Sequence, residues 1–306
     1  MFVDLQVNGY GGVDFNSAVT PDQLHQAFEH LRRDQVHGLL ATIITDDLPQ
    51  MCQRLKLLAA ARQSDPLIRE MLLGFHIEGP FISNQPGYVG AHPLAHVRPA
   101  DCDSMQRLLD AADGLTRLVT LAPEVDPDQR VTRMLADQGI TVSAGHCDPD
   151  LGTLKKSIDA GLSMVTHLGN ACPLELPRHD NVIQRLLSQS DRLWFGLIAD
   201  GIHLPLFVLR NFLNAIGVGR AVVVSDAIAA AGCGPGTYQL GDRQVTVDSH
   251  LATWAADGRH LVGSACPLRV MARTLTEDLE LQPDVVSRLT CHNPLAAIGL
   301  ASYPRG

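Results

Sequence analysis

Short apolar runs alternate with longer amphipathic segments along the whole 306-residue chain, and this alternation limits the possible folds more than any other feature of the sequence. Eight of the apolar runs have the length and composition of strands. The predicted strands are Phe2–Val7, Leu39–Thr45, Leu72–Ile77, Arg117–Leu121, Thr141–Ala144, Ser163–His167, Leu193–Ala199 and Ala221–Ser225. Strands that are apolar on both faces are typical of a parallel sheet covered by helices.

The segments between these runs predict helices. Thr20-Pro21 and Asp126-Pro127 each combine a capping residue with a proline at the first helical position. The predicted helices are Pro21–His37, Leu48–Arg62, Asp101–Ala112, Asp128–Gln138, Pro149–Ala160, Val182–Gln189, Pro205–Ile216 and, after the eighth strand, Pro267–Leu279. Eight strand–helix units in about 280 residues suit a closed (β/α)8 TIM barrel better than an open doubly wound sheet.

One segment departs from this alternation. Residues 236–262 contain three further strand-like runs, and the turn signals Gly241-Asp242 and Asp257-Gly258 separate them. We therefore predict a small β-hairpin excursion after the eighth strand. No low-complexity linker divides the chain, so residues 1–306 are predicted to form a single barrel domain.

Charge and cysteine usage exclude several classes of protein. The chain has 33 acidic and 24 basic residues, and a net charge of −9 argues against nucleic-acid or anionic-membrane partners. No apolar run reaches the roughly 18 residues of a membrane helix, and the N-terminus lacks the pattern of a signal peptide. The seven scattered cysteines contain no C-x-x-C pair, which predicts reduced thiols in a cytoplasmic protein.

Ionisable residues follow the predicted strands at the barrel edge where chemistry is expected. Glu78 ends the third strand, His146 and His167 end the fifth and sixth, and Asp226 follows the eighth. One carboxylate and two imidazoles suit a divalent transition metal that keeps an open position. Each residue alone could be a structural cap or turn residue, but the set predicts a metal site with Asp226 as its general base and acid.

A series of motifs covers nearly the whole chain. They read V-D-L-Q-V-N-G-Y-G-G-V-D-F (3–15), G-F-H-I-E-G-P-F (74–81), G-A-H-P (90–93), L-A-P-E (121–124), V-S-A-G-H (142–146), T-H-L-G-N-A (166–171), A-D-G-I-H (199–203), V-S-D-A-I-A-A-A-G (224–232), L-V-G-S (261–264) and N-P-L-A-A-I-G (293–299). In content and order the sequence resembles the N-acetylglucosamine-6-phosphate deacetylase family, which belongs to the amidohydrolase superfamily.

The resemblance implies a role for each matching residue. Glu78, His146 and His167 would bind the catalytic metal, and Asp226 would transfer the proton. The substrate would contact Ala91, His92, Asn170, Ala171, Arg178, His203, Leu261, Val262 and Gly263. The resemblance also implies a homodimer in which Arg178 reaches the phosphate in the neighbouring subunit's site, and a planar guanidinium suits that task independently of the family.

Gln6 and Asn8 stand where many amidohydrolases carry the H-x-H motif of a second metal. Neutral amides bind divalent ions poorly, so we expect one ion per subunit. Zinc is the first choice, with iron, manganese and cobalt as alternatives, and a second ion near Gln6 and Asn8 stays open. His76 shares a strand face with Glu78 and either assists such an ion or has an orienting and packing role.

Two departures from the family pattern concern specificity and assembly. From the resemblance we expect the family's usual β-sandwich to be missing, and Gly169 stands where the family pattern has an aromatic residue. The predicted function is hydrolysis of an N-acetyl amino sugar phosphate, N-acetylglucosamine 6-phosphate first, by metal-activated water. The alternatives are a related amidohydrolase acting on another amide and a non-catalytic barrel that binds sugar phosphates.

Overall fold

The computed structural model describes residues 1–240, 243–256, 258 and 261–302. Its strands are β1 (Phe2–Val7), β2 (Gly9–Tyr10), β3 (Val13–Asp14), β4 (Val36–Ile44), β5 (Leu72–Glu78), β6 (Thr116–Leu121), β7 (Thr141–Ala144), β8 (Leu162–Val165), β9 (Trp194–Leu197), β10 (Ala221–Val223), β11 (Gly236–Leu240), β12 (Arg243–Val247) and β13 (Thr253–Ala255). β1 and β4 to β10 form one eight-stranded sheet in chain order, and every neighbouring pair is parallel.

This sheet is a nearly closed barrel, as the alternation predicts. The seam between β1 and β10 is joined just beyond the strands, where Asn8 N donates to Ala227 O at 2.7 Å and Val7 pairs with Ala227. Deeper in the seam a side chain replaces the backbone, because Asp4 Oδ1 accepts from Ser225 N at 3.1 Å. The polar residue that interrupts the first apolar run is therefore part of barrel closure.

The first eight helices lie between strands of the barrel, and the last three follow the final strand. Their bounds are α1 (Pro21–Arg33), α2 (Leu48–Ser64), α3 (Pro66–Met71), α4 (Cys102–Ala111), α5 (Arg130–Asp137), α6 (Leu151–Asp159), α7 (Val182–Leu187), α8 (Leu206–Ile216), α9 (Leu268–Glu277), α10 (Pro283–Ser287) and α11 (Asn293–Ala297). Their apolar faces and the sheet form one continuous core, in which Phe28, Phe75 and Phe195 are fully buried. Among the described residues, no helix is long and apolar enough to cross a bilayer.

The helix starts test the two predicted caps. Thr20 caps α1 as expected, because its hydroxyl accepts from Gln23 N at 3.2 Å while Gln23 Oε1 accepts from Thr20 N at 2.8 Å. The prediction for α5 is wrong by two residues, since Asp128 and Gln129 have positive φ angles and the helix begins at Arg130. The Asp126 carboxylate still caps the start of α5, because its oxygens accept hydrogen bonds from the backbone N–H groups of Val131 and Thr132.

After β10 the chain forms an antiparallel three-stranded sheet of β11, β12 and β13. The predicted turn at Gly241-Asp242 and most of the one at Asp257-Gly258 lie outside the described residues. Val245 and Val247 pack in a small apolar cluster with Ile228 and Val262. This cluster places the sheet beside the segment that follows β10.

A row of hydroxyl groups crosses the barrel interior below the strand ends. Thr120 Oγ1 lies 2.7 Å from His76 Nε2 and 2.7 Å from Thr166 Oγ1, and Thr166 Oγ1 lies 2.7 Å from Ser143 Oγ. All four side chains are buried. A buried polar group that loses its hydrogen-bond partner destabilises the folded state. This row of contacts therefore fixes β5, β6, β7 and the end of β8 relative to one another.

Replacing Thr120 by valine should destabilise the protein by about 1–3 kcal/mol, because it leaves His76 Nε2 without its hydroxyl partner, whereas Thr166 keeps its contact with Ser143. Urea unfolding would measure the change. Thr116→Val is the matched control on the same strand, because the buried Thr116 hydroxyl has no hydrogen-bond partner among the described residues. Equal effects of the two substitutions would contradict the role of the hydroxyl row.

Candidate metal centre and active site

Strand ends bring the predicted site residues together in unusual backbone conformations. His146, His167 and Asp226 have φ angles of 53°, 32° and 51°, and Ala171 has a φ of 50°. Residues other than glycine rarely adopt positive φ, and such conformations concentrate at functional sites where the surrounding structure holds them. The turns that end β7, β8 and β10 therefore point polar side chains into the barrel mouth at a cost in backbone energy.

Glu78 is the centre of the polar cluster in the barrel mouth. Its Oε1 lies 3.2 Å from Nε2 of His146 and 3.2 Å from Nε2 of His167, and all three side chains are buried. Ligand atoms that share one tetrahedral zinc ion at 2.0–2.1 Å are about 3.3 Å apart. The spacing of the carboxylate from each imidazole therefore fits a common ion.

The hydrogen bonds of His146 strengthen this fit. Its Nδ1 lies 2.9 Å from Tyr88 O, and because a carbonyl only accepts, Nδ1 carries the proton. A neutral His146 then turns the lone pair of Nε2 toward a carboxylate oxygen of Glu78. Two facing lone pairs need a proton or a cation between them, and metal-bound histidines usually donate their other N–H to a carbonyl or carboxylate.

Burial opposes ionisation of Glu78, but the two imidazoles that face it, those of His146 and His167, hold the pKa of this carboxyl well below its usual value. Gln6 Nε2 also donates to Glu78, with 3.2 Å to each oxygen. Glu78 is therefore an anion whose oxygens face three nitrogen-bearing side chains. Among the described residues, two buried atoms near this anion lack partners, namely His167 Nδ1 and Asn8 Oδ1.

His92 lies beside Glu78 and His146 in the barrel mouth. Among the described residues, Glu78, His92 and His146 present ligand atoms that all lie within 4.8 Å of one another. The rings of His92 and His146 are 4.3 Å apart and meet edge to face. Burial lowers the pKa of His92 to about 3, so the ring is neutral near pH 7.

His76 has no free nitrogen for a second metal. Its Nε2 lies 2.7 Å from the Thr120 hydroxyl and its Nδ1 lies 3.4 Å from the Thr42 hydroxyl. Burial lowers its pKa to about 4. Of the two roles that the sequence left open, this arrangement supports the orienting and packing role.

Asp226 lies near enough to Glu78 for their negative charges to interact. Asn8 Nδ2 donates to Asp226 Oδ1 at 2.8 Å. Burial raises the pKa of Asp226 to about 6, and the negative charge of Glu78 adds to the shift while His167 and His203 oppose it. Gln6 and Asn8 thus each donate an amide N–H to one of the two acidic side chains.

Asp200 fixes His203 beside Asp226. Its Oδ2 lies 2.6 Å from His203 Nδ1, and its Oδ1 accepts from the backbone N–H groups of Ile202 and His203. Because an ionised carboxylate only accepts, Nδ1 of His203 is the donor and Nε2 is left to meet a ligand. Asp200 is not among the predicted site residues, although the A-D-G-I-H motif contains it together with His203.

The loop after β8 holds Asn170 and Ala171 next to His167. The backbone N–H of Asn170 donates to His167 O at 2.9 Å. Gly169 has a φ of 86°, and a Cβ there would lie 3.1 Å from side-chain atoms of Leu204 and Phe212. A larger side chain at position 169 would therefore have to displace both neighbours.

The remaining predicted substrate contacts divide into two groups. Residues 261–263 run beside Asp226, because Ser264 N donates to Asp226 O at 2.9 Å. Ala91 packs against the small apolar cluster that contains Val262. Arg178 lies on an exposed loop and makes no hydrogen bond or ion pair with the other candidate residues in the described part of the chain. Leu174 on this loop is also fully exposed.

Comparison with known proteins identifies the family of the chain. N-acetylglucosamine-6-phosphate deacetylase of Bos taurus is 36% identical over 98% of this chain and 74% of its own length. The chain belongs to the N-acetylglucosamine-6-phosphate deacetylase family. N-acetylgalactosamine-6-phosphate deacetylase of Shewanella sp. is 30% identical over 92% of this chain and 68% of its own length. No model from a scan of protein families matches the chain.

Solved structures of the family agree with the fold. The deacetylase of Pasteurella multocida superposes with a TM-score of 0.87 at 27% identity, over 100% of this chain and 79% of its own. These comparisons confirm the family resemblance that the sequence motifs indicate, and they confirm the predicted parallel barrel. Tyr88 and Thr45 position His146 and His92 but are not among the predicted site residues, because a backbone carbonyl and a lone strand-end threonine give no distinctive signal in a sequence.

Proposed function

We propose that the protein is a metal-dependent hydrolase that removes the acetyl group from N-acetylglucosamine 6-phosphate, giving acetate and the free amine. The observation that carries this proposal is the convergence of Nε2 of His146 and of His167 on one oxygen of Glu78, in a member of a deacetylase family. All seven cysteines are free thiols, which supports a cytoplasmic location.

Glu78, His146 and His167 would hold one divalent ion, with zinc as the first choice for two imidazoles and a carboxylate. When bound, such an ion polarises the amide carbonyl and lowers the pKa of water. Gln6 and Asn8 donate their amide N–H groups to Glu78 and Asp226, and their neutral amide oxygens are poor ligands for a divalent ion. This arrangement supports one ion per subunit.

Asp226 would carry the proton. It lies near Glu78, and its Oδ1 is held by Asn8, which leaves Oδ2 to accept a proton from the attacking water. The same carboxyl then returns the proton to the departing amine nitrogen as the C–N bond breaks. His203, fixed by Asp200, would orient the sugar through Nε2.

The phosphate would bind at the loop after β8. Asn170 and Ala171 lie beside His167, whereas Arg178 is exposed on the same loop, a placement that supports its use by the neighbouring subunit of a homodimer. Ala91, His92 and residues 261–263 would form the other wall of the sugar site. The 4-epimer, N-acetylgalactosamine 6-phosphate, is a second candidate substrate because a Shewanella relative has that specificity in its name.

Acetate release from N-acetylglucosamine 6-phosphate, measured beside its 4-epimer and the unphosphorylated sugar on protein of known metal content, tests the proposal. We expect release that needs both the ion and the phosphate. One bound ion per chain with none of these sugars cleaved would contradict the substrate and direct the search to another amide.

Arg178→Ala should lower kcat/KM for the phosphorylated sugar roughly 10–100-fold, because a bidentate charge-assisted contact is lost. The unphosphorylated sugar should show no change, and Arg33→Ala on the exposed face of α1 is the matched control. Mixing Arg178→Ala with Asp226→Asn protein should restore activity at low substrate concentration if the arginine acts across subunits. No restoration in verified mixed dimers would argue for action within one chain.

A further inference from the structure

We propose that Arg185 on α7 is a positioning residue for phosphate binding, because it fixes the loop that presents Arg178. This loop, residues 173–180, contains no helix or strand and carries Arg178 at an exposed position. An arginine on an unsupported loop would lose much conformational freedom when it meets a phosphate, and that loss would weaken binding. The inference rests on the proposed phosphate-binding role of Arg178 and extends it to a residue outside the motifs of the family resemblance.

The guanidinium of Arg185 holds the end of this loop through two contacts with one residue. Its Nε donates to Asp180 Oδ1 at 2.5 Å, and a terminal N–H donates to Asp180 O at 3.3 Å. The side chain and the backbone of Asp180 are therefore both tied to α7, two residues after Arg178. The Arg185 side chain is only 16% exposed, so solvent screens its charge less than it screens an open surface arginine.

The same guanidinium connects this loop to the loop that follows β7. Its second terminal nitrogen donates to Asp148 Oδ1 at 2.9 Å and to Pro149 O at 3.0 Å. The hydroxyl of Tyr88, in the loop after β5, also hydrogen-bonds to the Asp148 side chain. Arg185 therefore anchors Asp180 to the loops of two other barrel strands, and not only to its own helix.

The part of the loop that precedes Arg178 is held by other contacts. Pro173 lies against Gly87, where an added Cβ would come within 2.8 Å of Pro173 Cα. Asn181 Nδ2 donates to Pro177 O at 2.8 Å. The backbone is therefore fixed on both sides of Arg178, while the residue itself is exposed. Such an arrangement presents a guanidinium to a phosphate from a preorganised position.

A double-mutant cycle on ligand binding tests the proposal. Calorimetry would measure the affinity of metal-loaded protein for glucosamine 6-phosphate, the product that cannot be hydrolysed further, in the wild type, Arg185→Met, Arg178→Ala and the double variant. Arg185→Met keeps a long side chain and removes the guanidinium. Arg192→Met is the matched control, because Arg192 forms an ion pair of 2.8 Å that joins the turn after α7 to Asp159 at the end of α6.

We expect Arg185→Met to weaken binding roughly 3–30-fold, within the range of coupling between residues of one network, and Arg192→Met to leave it unchanged. In the Arg178→Ala background, Arg185→Met should cause no further loss, because Arg185 acts through Arg178. Equal losses with and without Arg178, or no loss in either background, would overturn the proposal.

Arg185→Lys replaces the forked guanidinium by a single ammonium, which cannot hold Asp180 and Asp148 with the same geometry. We expect a smaller loss that again requires Arg178, and this variant decides the question if Arg185→Met fails to fold. Binding with this dependence but without acetate release would contradict the proposed reaction and leave the role of Arg185 intact. A wild type that does not bind the phosphorylated sugar would overturn both.

Discussion

Asp226→Asn protein should keep its full complement of metal and release acetate roughly 10²–10⁴-fold more slowly than the wild type, the usual contribution of a positioned acid–base group. The substitution is nearly isosteric and keeps an Oδ1 that can accept from Asn8 Nδ2, which lies 2.8 Å away in the wild type. It removes only the ability to take a proton from water and return it to the amine.

Metal analysis and steady-state rates on the same preparation would measure both effects. Asp200→Asn is an informative comparison, because Asp200 orients His203 and does not face the reacting atoms. We expect that variant to affect KM as well as kcat, whereas Asp226→Asn should act on kcat. Full activity of Asp226→Asn would refute the assigned role.

The barrel could be predicted from sequence because its determinants are local. Each predicted strand overlaps an observed one, and β1 (Phe2–Val7) and β7 (Thr141–Ala144) have the predicted bounds. Continuous apolar runs identify buried parallel strands without any knowledge of their neighbours. The short hairpin of β2 and β3 was not predicted, nor were the helices α3, α10 and α11. Each of these elements is too short to show a clear strand or helix periodicity in the sequence.

Tertiary relationships limited the prediction of the site. Asp4 is a polar residue within the first apolar run of the sequence. In the structure it closes the barrel seam by accepting a hydrogen bond from Ser225 N, which lies more than two hundred residues away along the chain. The roles of Thr45 and Tyr88 depend on the path of the loop after β5, which no periodicity encodes. Glu78, His146, His167 and Asp226 were predictable because strand ends of a parallel barrel converge on one edge.

Glu78→Gln should weaken metal binding more than roughly 100-fold, since loss of an outer partner alone typically costs 10–100-fold and Glu78 is the carboxylate on which both His146 and His167 converge. Each 100-fold loss of affinity removes about 2.7 kcal/mol of the stability that saturating metal adds. The metal-dependent shift in Tm should therefore shrink sharply, together with activity. Glu277→Gln, at an exposed glutamate on α9, should retain the full shift. An unchanged shift in Glu78→Gln would place the ion elsewhere, because no other carboxylate oxygen among the described residues lies 3.2 Å from Nε2 of both His146 and His167.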